Sequence, residues 1–186
     1  MNESETYIAS CIHTWAHSGF YTRDEANEFL CDILENDVNE KNMRDLIESE
    51  FTAKEALESE WPPITDCDKL DMVFAELNSD MIISIQNAGY TMSDGLDDVG
   101  EVHSRKPHGT YAGYCFYHGQ DLDRAIATGE LMIAFGDMKD TPDGKKTIAN
   151  KILAAMERHG IRAIWEGNVN NRIKIPKIQW QRRYHV

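Results

Sequence analysis

Two short polar stretches hold the side chains best suited to chemistry. The first is Gln86-Asn87-Ala88-Gly89-Tyr90, running into Ser93-Asp94-Gly95, and the second is Tyr117-His118-Gly119-Gln120-Asp121. Together they offer amides, phenols, carboxylates and one imidazole, a set able to hold a small polar ligand or to carry a proton near neutral pH. Each stretch closes or follows a short apolar run, so each is expected at the C-terminal end of a strand. If those two strands are parallel members of one sheet, their ends emerge on the same edge. The candidate edge is therefore Asn87, Tyr90, Asp94, Tyr117, His118, Gln120 and Asp121. The plain alternative makes Ser93 or Asp94 and Asp121 helix N-caps, Gly89 and Gly119 turn residues, and His118 the partner of a neighbour.

Other constellations carry less chemistry. His13 and His17 stand four apart, the spacing of a helical metal clip. No Glu follows His13, so the metalloprotease pattern is absent, and the pair reads as two polar residues on a partly exposed flank. Asp94-Gly95-Leu96-Asp97-Asp98 lacks the order and distal Glu of a calcium loop. There is no phosphate-binding glycine motif. No metal and no cofactor is expected. The cysteines, Cys11, Cys31, Cys67 and Cys115, form no Cys-x-x-Cys pair and are expected as reduced thiols, Cys11 and Cys31 as small core residues.

Helical periodicity and caps place the elements that must position these residues. Ile8, Cys11, Ile12 and Trp15 make one apolar stripe over Glu5–His17. Thr22-Arg23-Asp24-Glu25 is a capping box opening a second helix, and a third is expected over about Glu40 to Ser59, stopped before Pro62-Pro63. Thr65 or Asp66 caps a fourth, with Leu70, Val73, Phe74 and Leu77 inward. Beyond residue 80 short apolar runs predict strands at Met81–Gln86, Ala112–Tyr117, Leu131–Phe135, Ile161–Trp165 and Arg172–Ile175. Helices are expected between them at Ser93–His103, Asp121–Thr128 and Thr147–His159. The fold class is thus α+β: an acidic helical region, 1–61, then a domain over 64–186. That domain is expected as a ferredoxin-like, split βαβ mixed sheet of about five strands with helices on one face.

Charge is divided unevenly along the 186 residues. The first 80 hold 20 acidic against 5 basic side chains and the remainder 12 against 14, for a net charge of −13. An acidic helical face suits a protein partner with a basic surface, though charge of this kind also serves solubility. The stretch Arg172–His185 mixes five cations with Trp180 and Tyr184, but the overall charge opposes a polyanion, so nucleic acid is an unlikely partner and the tail can instead neutralise the chain's own acid. No run suits a membrane span and the first residues lack a signal-peptide pattern, so a cytoplasmic protein is expected. Two functions follow: a non-enzymatic binding or regulatory protein acting through protein contacts, or a small-ligand domain or enzyme using the polar edge. Whether it is an enzyme is open at this stage.

Several blocks in order carry a family resemblance: Asp66-Cys67-Asp68-Lys69-Leu70-Asp71, Asn87-Ala88-Gly89-Tyr90 with Ser93-Asp94-Gly95, Gly113 to Asp121, Trp165-Glu166-Gly167, Arg172-Ile173 and Trp180-Gln181-Arg182-Arg183. From Thr65 onward the chain resembles an uncharacterised bacterial domain-of-unknown-function family. Some members carry a cysteine-rich segment where this chain has Asn87–Gly95. The resemblance implies a bacterial cytosolic domain, and it supplies no catalytic residue.

Overall fold

In the computed structural model, which describes residues 2–184, Asn2 and Thr22 each close a capping box. The cap side chain accepts from the N–H of the third helical residue, whose carboxylate, from Glu5 or Glu25, accepts from the cap's own N–H. These boxes satisfy donors that a helix start otherwise leaves orphaned, and they open α1 (Glu3–Ser18) and α2 (Arg23–Ile33). Asn39 caps α3 (Glu40–Glu58). The inward stripes of the three helices form one core of Ile8, Ile12, Ala16, Ala26, Leu30, Met43, Ile47 and Phe51.

This helical unit ends at Thr65 and takes in the chain again from Gln181; the second unit is Asp66–Trp180. The returning tail lies on aromatic rings of the helical unit. The Arg182 guanidinium sits 4.6 Å from the Phe20 ring, and Arg183 lies over Trp61 while donating to the Pro62 carbonyl at 3.0 Å. His185, the end of the basic stretch, is outside the described residues.

The second unit is mixed α+β. Its elements run α4 (Asp66–Ser79), β1 (Ile82–Ile85), α5 (Met92–Ser104), β2 (Gly113–Phe116), α6 (Gly119–Thr128), β3 (Leu131–Asp137), α7 (Pro142–Arg158) and β4 (Ile173–Ile175). Its sheet corrects two expectations. Among the described residues it has four strands in the order β1-β2-β3-β4, with β1 and β2 directly paired in parallel and the rest antiparallel. A split βαβ needs another strand between its two parallel members, and here the Ile82↔Gly113 to Ile85↔Phe116 ladder leaves no room for one. The fifth strand, expected at Ile161–Trp165, reduces to a single antiparallel bridge between Ile164 and Lys174. Ile161 is buried but Ile164 is exposed, so the alternation there marks a flank of the unit rather than a paired strand.

Helices also lie on both faces of the sheet, not one. Side chains alternate along each strand, and a Cβ on Gly95 of α5 would meet Phe116, whereas one on Gly113 would meet Ile148 of α7. The α5 face gathers Ile83, Val99, Phe116 and Ala134 with partly buried Ile85 and Tyr114. Helices α4 and α7 pack on each other and on the opposite face.

Candidate functional site

The two polar stretches meet because β1 and β2 are parallel neighbours. Their ends are stitched by backbone bonds: Ala88 N–H to the Tyr117 carbonyl at 2.9 Å, Gly119 N–H to Gly89 at 2.9 Å, and Gln120 N–H to Tyr90 at 3.2 Å. Gly89 makes the approach possible. Its φ is +53°, and a Cβ there would stand 2.2 Å from the Cβ of Asp94, so both the backbone and the space call for glycine.

The side chains of this edge divide into scaffold and cluster. Asp94 is the third residue of the α5 capping box begun by Thr91, and it accepts from the N–H groups of Thr91 at 2.9 Å and Tyr90 at 3.2 Å. Those bonds hold its carboxyl below the usual range. Tyr90 is exposed and donates to Asp123 at 3.0 Å, Tyr117 is buried with its hydroxyl 3.1 Å from Gln86 Oε1, and Gln120 is exposed. Asn87 is half-buried, with a φ of +51°.

His118 and Asp121 belong to the cluster. Asp121 is fully buried, and its carboxylate receives Arg172 Nη1 at 2.8 and 2.9 Å, Arg124 Nη1 at 3.0 Å and lies 3.1 Å from His118 Nε2. Nε2 faces both the Asp121 acceptor and, at 3.4 Å, the Arg172 Nη1 donor, so whether it donates or accepts follows the tautomer. His118 Nδ1 is buried with no hydrogen-bond partner among the described residues. Burial holds the imidazole below its ordinary value, Asp121 pulls it up, and Arg172 and Arg124 push it down again. Asp94, on α5, adds a second carboxylate that acts on the ring.

Arg172 reaches this cluster from the far side of the sheet. It precedes β4, whose register pairs Ile173 with Ile133, so one step on places Arg172 opposite Ala134, on the α5 face. Only Nη1 is engaged by Asp121; Nε and Nη2 have no protein acceptor among the described residues. Arg172 also lines a cleft of about 180 Å³ beside α5, walled by Met92, Leu96, Tyr114, Phe116 and the Val169–Arg172 segment. The cleft exists because α5 covers the β1 side of this face and leaves the β3 side to a loop.

Residues 1–184 match the sequence profile of one family. The chain belongs to the family described as Domain of unknown function (DUF6891). The match takes in the helical unit as well as the mixed one, so the acidic helices are part of the family's chain and not an addition to it. No curated protein and no solved structure matches the chain.

Sequence reasoning missed Arg172 and Arg124 as site residues. Arg124 carries a local signal, the i,i+3 spacing from Asp121 on α6. Arg172 is 51 residues from Asp121 in sequence, and its neighbours Lys174, Lys177 and Arg182 disguised it as part of a basic tail. Within that tail Lys174 pairs with Glu130, and Trp180 stands edge-on to Tyr117 at 5.9 Å. Of the cysteines, Cys31 is exposed and Cys11 half-buried, while Cys67 and Cys115 are the core thiols; none of the four is in a disulfide. No helix among the described residues is long and apolar enough to cross a membrane.

Proposed function

We propose that the mixed unit binds a small organic anion, a carboxylate on a compact apolar or aromatic body, in the cleft beside Arg172. The observation that carries this reading is the Arg172 side chain: a single nitrogen, Nη1, is engaged by buried Asp121, and the residue lines the cleft. An anchored guanidinium keeps a fixed orientation, and its remaining N–H pair matches the two oxygens of a carboxylate. Asp121 is shared between Arg172 and Arg124, so neither cation has that carboxylate to itself.

The walls suit the rest of such a ligand. Met92, Leu96, Tyr114 and Phe116 present apolar surface, and about 180 Å³ is close to the roughly 150 Å³ of a cavity that accepts benzene. Binding is favoured over turnover. Tyr114 and Arg172 are the ionisable side chains lining the cleft, and burial raises the Tyr114 phenol further above neutrality, leaving no general base there. The acidic helical unit supports a second, non-enzymatic reading, contact with a basic protein. Part of that acid is paired internally, Arg23 with Glu55, Arg44 with Glu40 and Lys54 with Glu58, and the cleft is the preferred reading because it combines an anchored cation with apolar walls.

A panel of benzoate, short branched carboxylates, benzamide and inorganic phosphate tests the reading by calorimetry. Saturable binding of at least one carboxylate, with benzamide inert, supports it. Failure of every carboxylate at millimolar concentration, or equal binding of benzamide, overturns it.

A further inference from the structure

We propose that His13, His17 and Glu50 form a site for one divalent transition-metal ion of zinc's class, clamping α1 to α3. The two histidines lie one helical turn apart on α1, and the packing of α1 on α3 brings Glu50 between them. His13 Nδ1 is 2.9 Å and His17 Nε2 3.1 Å from the same oxygen, Glu50 Oε2. One nitrogen from each ring and a carboxylate oxygen all lie within 4.8 Å of one another.

Those dimensions are near what a metal requires. Bonds of about 2.0–2.1 Å in a tetrahedral site put neighbouring ligand atoms roughly 3.3 Å apart. The two nitrogen–oxygen separations, 2.9 and 3.1 Å, are close to that spacing, and the third pair of ligand atoms lies within 4.8 Å. Two imidazoles and one carboxylate are a donor set that zinc, cobalt, nickel and copper accept, whereas calcium and magnesium ask for oxygen alone.

The electrostatics fit as well. Burial and the neighbouring His13 hold the His17 imidazole below its ordinary value, and a metal bound at Nε2 takes the place of any proton shared there with Glu50. Burial pushes Glu50 up, but its bonds from His13 and His17 outweigh that and the carboxyl ends lower than usual, hence ionised. Lys54 is the cation facing His17, and its ammonium is held by Glu58 at 2.9 Å. The His13 side chain is 52% exposed, which leaves a fourth coordination position open to water or to a ligand from outside. The i,i+4 histidines alone are a weak signal; the third donor, 33 residues further along the chain from His17, is what makes them a site.

The test is titration of chelator-treated full-length protein with zinc against a chromogenic competitor, repeated for H13Q, H17Q and E50Q, with a cobalt spectrum of the wild type. One equivalent is expected to bind with micromolar affinity or better and to raise the melting temperature. Each substitution is expected to weaken binding by roughly 10- to 100-fold or more, and the cobalt spectrum to lack thiolate charge-transfer bands. H13Q removes the most exposed of the three groups and so reports on binding in a folded chain. Absence of micromolar binding, unchanged affinity in H13Q and E50Q, or a thiolate band implicating Cys11 or Cys31 would overturn the proposal.

Discussion

Asp121 takes both of its closest contacts with Arg172 from a single nitrogen, Nη1, at 2.9 Å to Oδ1 and 2.8 Å to Oδ2. That arrangement fastens the start of β4 to α6 and aims the remainder of the guanidinium elsewhere. Removing the carboxylate leaves two cations and a buried imidazole without their common partner. Asp121→Asn is expected to cost about 3 kcal/mol, the lower end for breaking a buried pair, because Arg172 and Arg124 keep 29% and 40% of their side chains exposed. Urea denaturation midpoints measure it; a loss under about 1 kcal/mol would match an ordinary surface pair instead.

The depressed imidazoles of His118 and His17 set a pH dependence. In the unfolded chain both protonate near the ordinary value of 6.5, and in the folded protein only at lower pH. Between those limits the unfolded state binds more protons, so stability rises with pH and is lost as pH falls from 6.5 through the folded values. His118→Gln, which keeps a donor near the Nε2 position, is expected to flatten the slope of stability between pH 6.5 and 5. An unchanged slope would mean that His118 protonates as readily folded as unfolded.

Gly95 sits where α5 meets β2, and a Cβ there would come within 2.3 Å of the Phe116 ring. Gly95→Ala must displace Phe116 toward the cleft it lines or lift α5 from the sheet. The expected cost is about 1–3 kcal/mol, together with weaker carboxylate binding, read by thermal melting and calorimetry. Gly100 on the same helix has open space around its Cβ position, so Gly100→Ala is the control expected to retain wild-type affinity.

Thiol reactivity separates the cysteines. Burial pushes the Cys115 thiol up to about 12, and Cys67 is enclosed in α4's inner face. Iodoacetamide on the native protein is expected to label Cys31 first and to spare Cys67 and Cys115 until denaturant is added; mass spectrometry of the peptides reads the order. Labelling of Cys115 in the native state would contradict its place in the core.

Local signals made the helices legible. The Thr22 capping box, the α3 span and the Leu70-Val73-Phe74-Leu77 face all read directly from short-range periodicity. Cap chemistry was harder to place: the α5 cap is Thr91 with Asp94 as its third residue, and α7 begins at Pro142 under a Thr141 cap, five residues before the expected start at Thr147. Strand order was not legible. Whether β1 pairs with β2 directly depends on which faces are buried in three dimensions, and the alternating run at Ile161–Trp165 looks like a strand until its exposed side is known. The same limit governs the sites. The two loops of the polar edge could be brought together by reasoning about parallel strands, but Arg172 and Glu50 join their partners across tertiary contacts that no local pattern announces.

The most direct test of the anion site is a ¹H–¹⁵N titration of the wild type and Arg172→Gln with benzoate. Saturable shifts are expected at Leu96, Phe116 and Asn170–Arg172 in the wild type, and at least a tenfold loss of affinity, about 1.4 kcal/mol, in the variant with its fold intact. Shifts confined to other surfaces, or equal affinity in Arg172→Gln, would contradict that site.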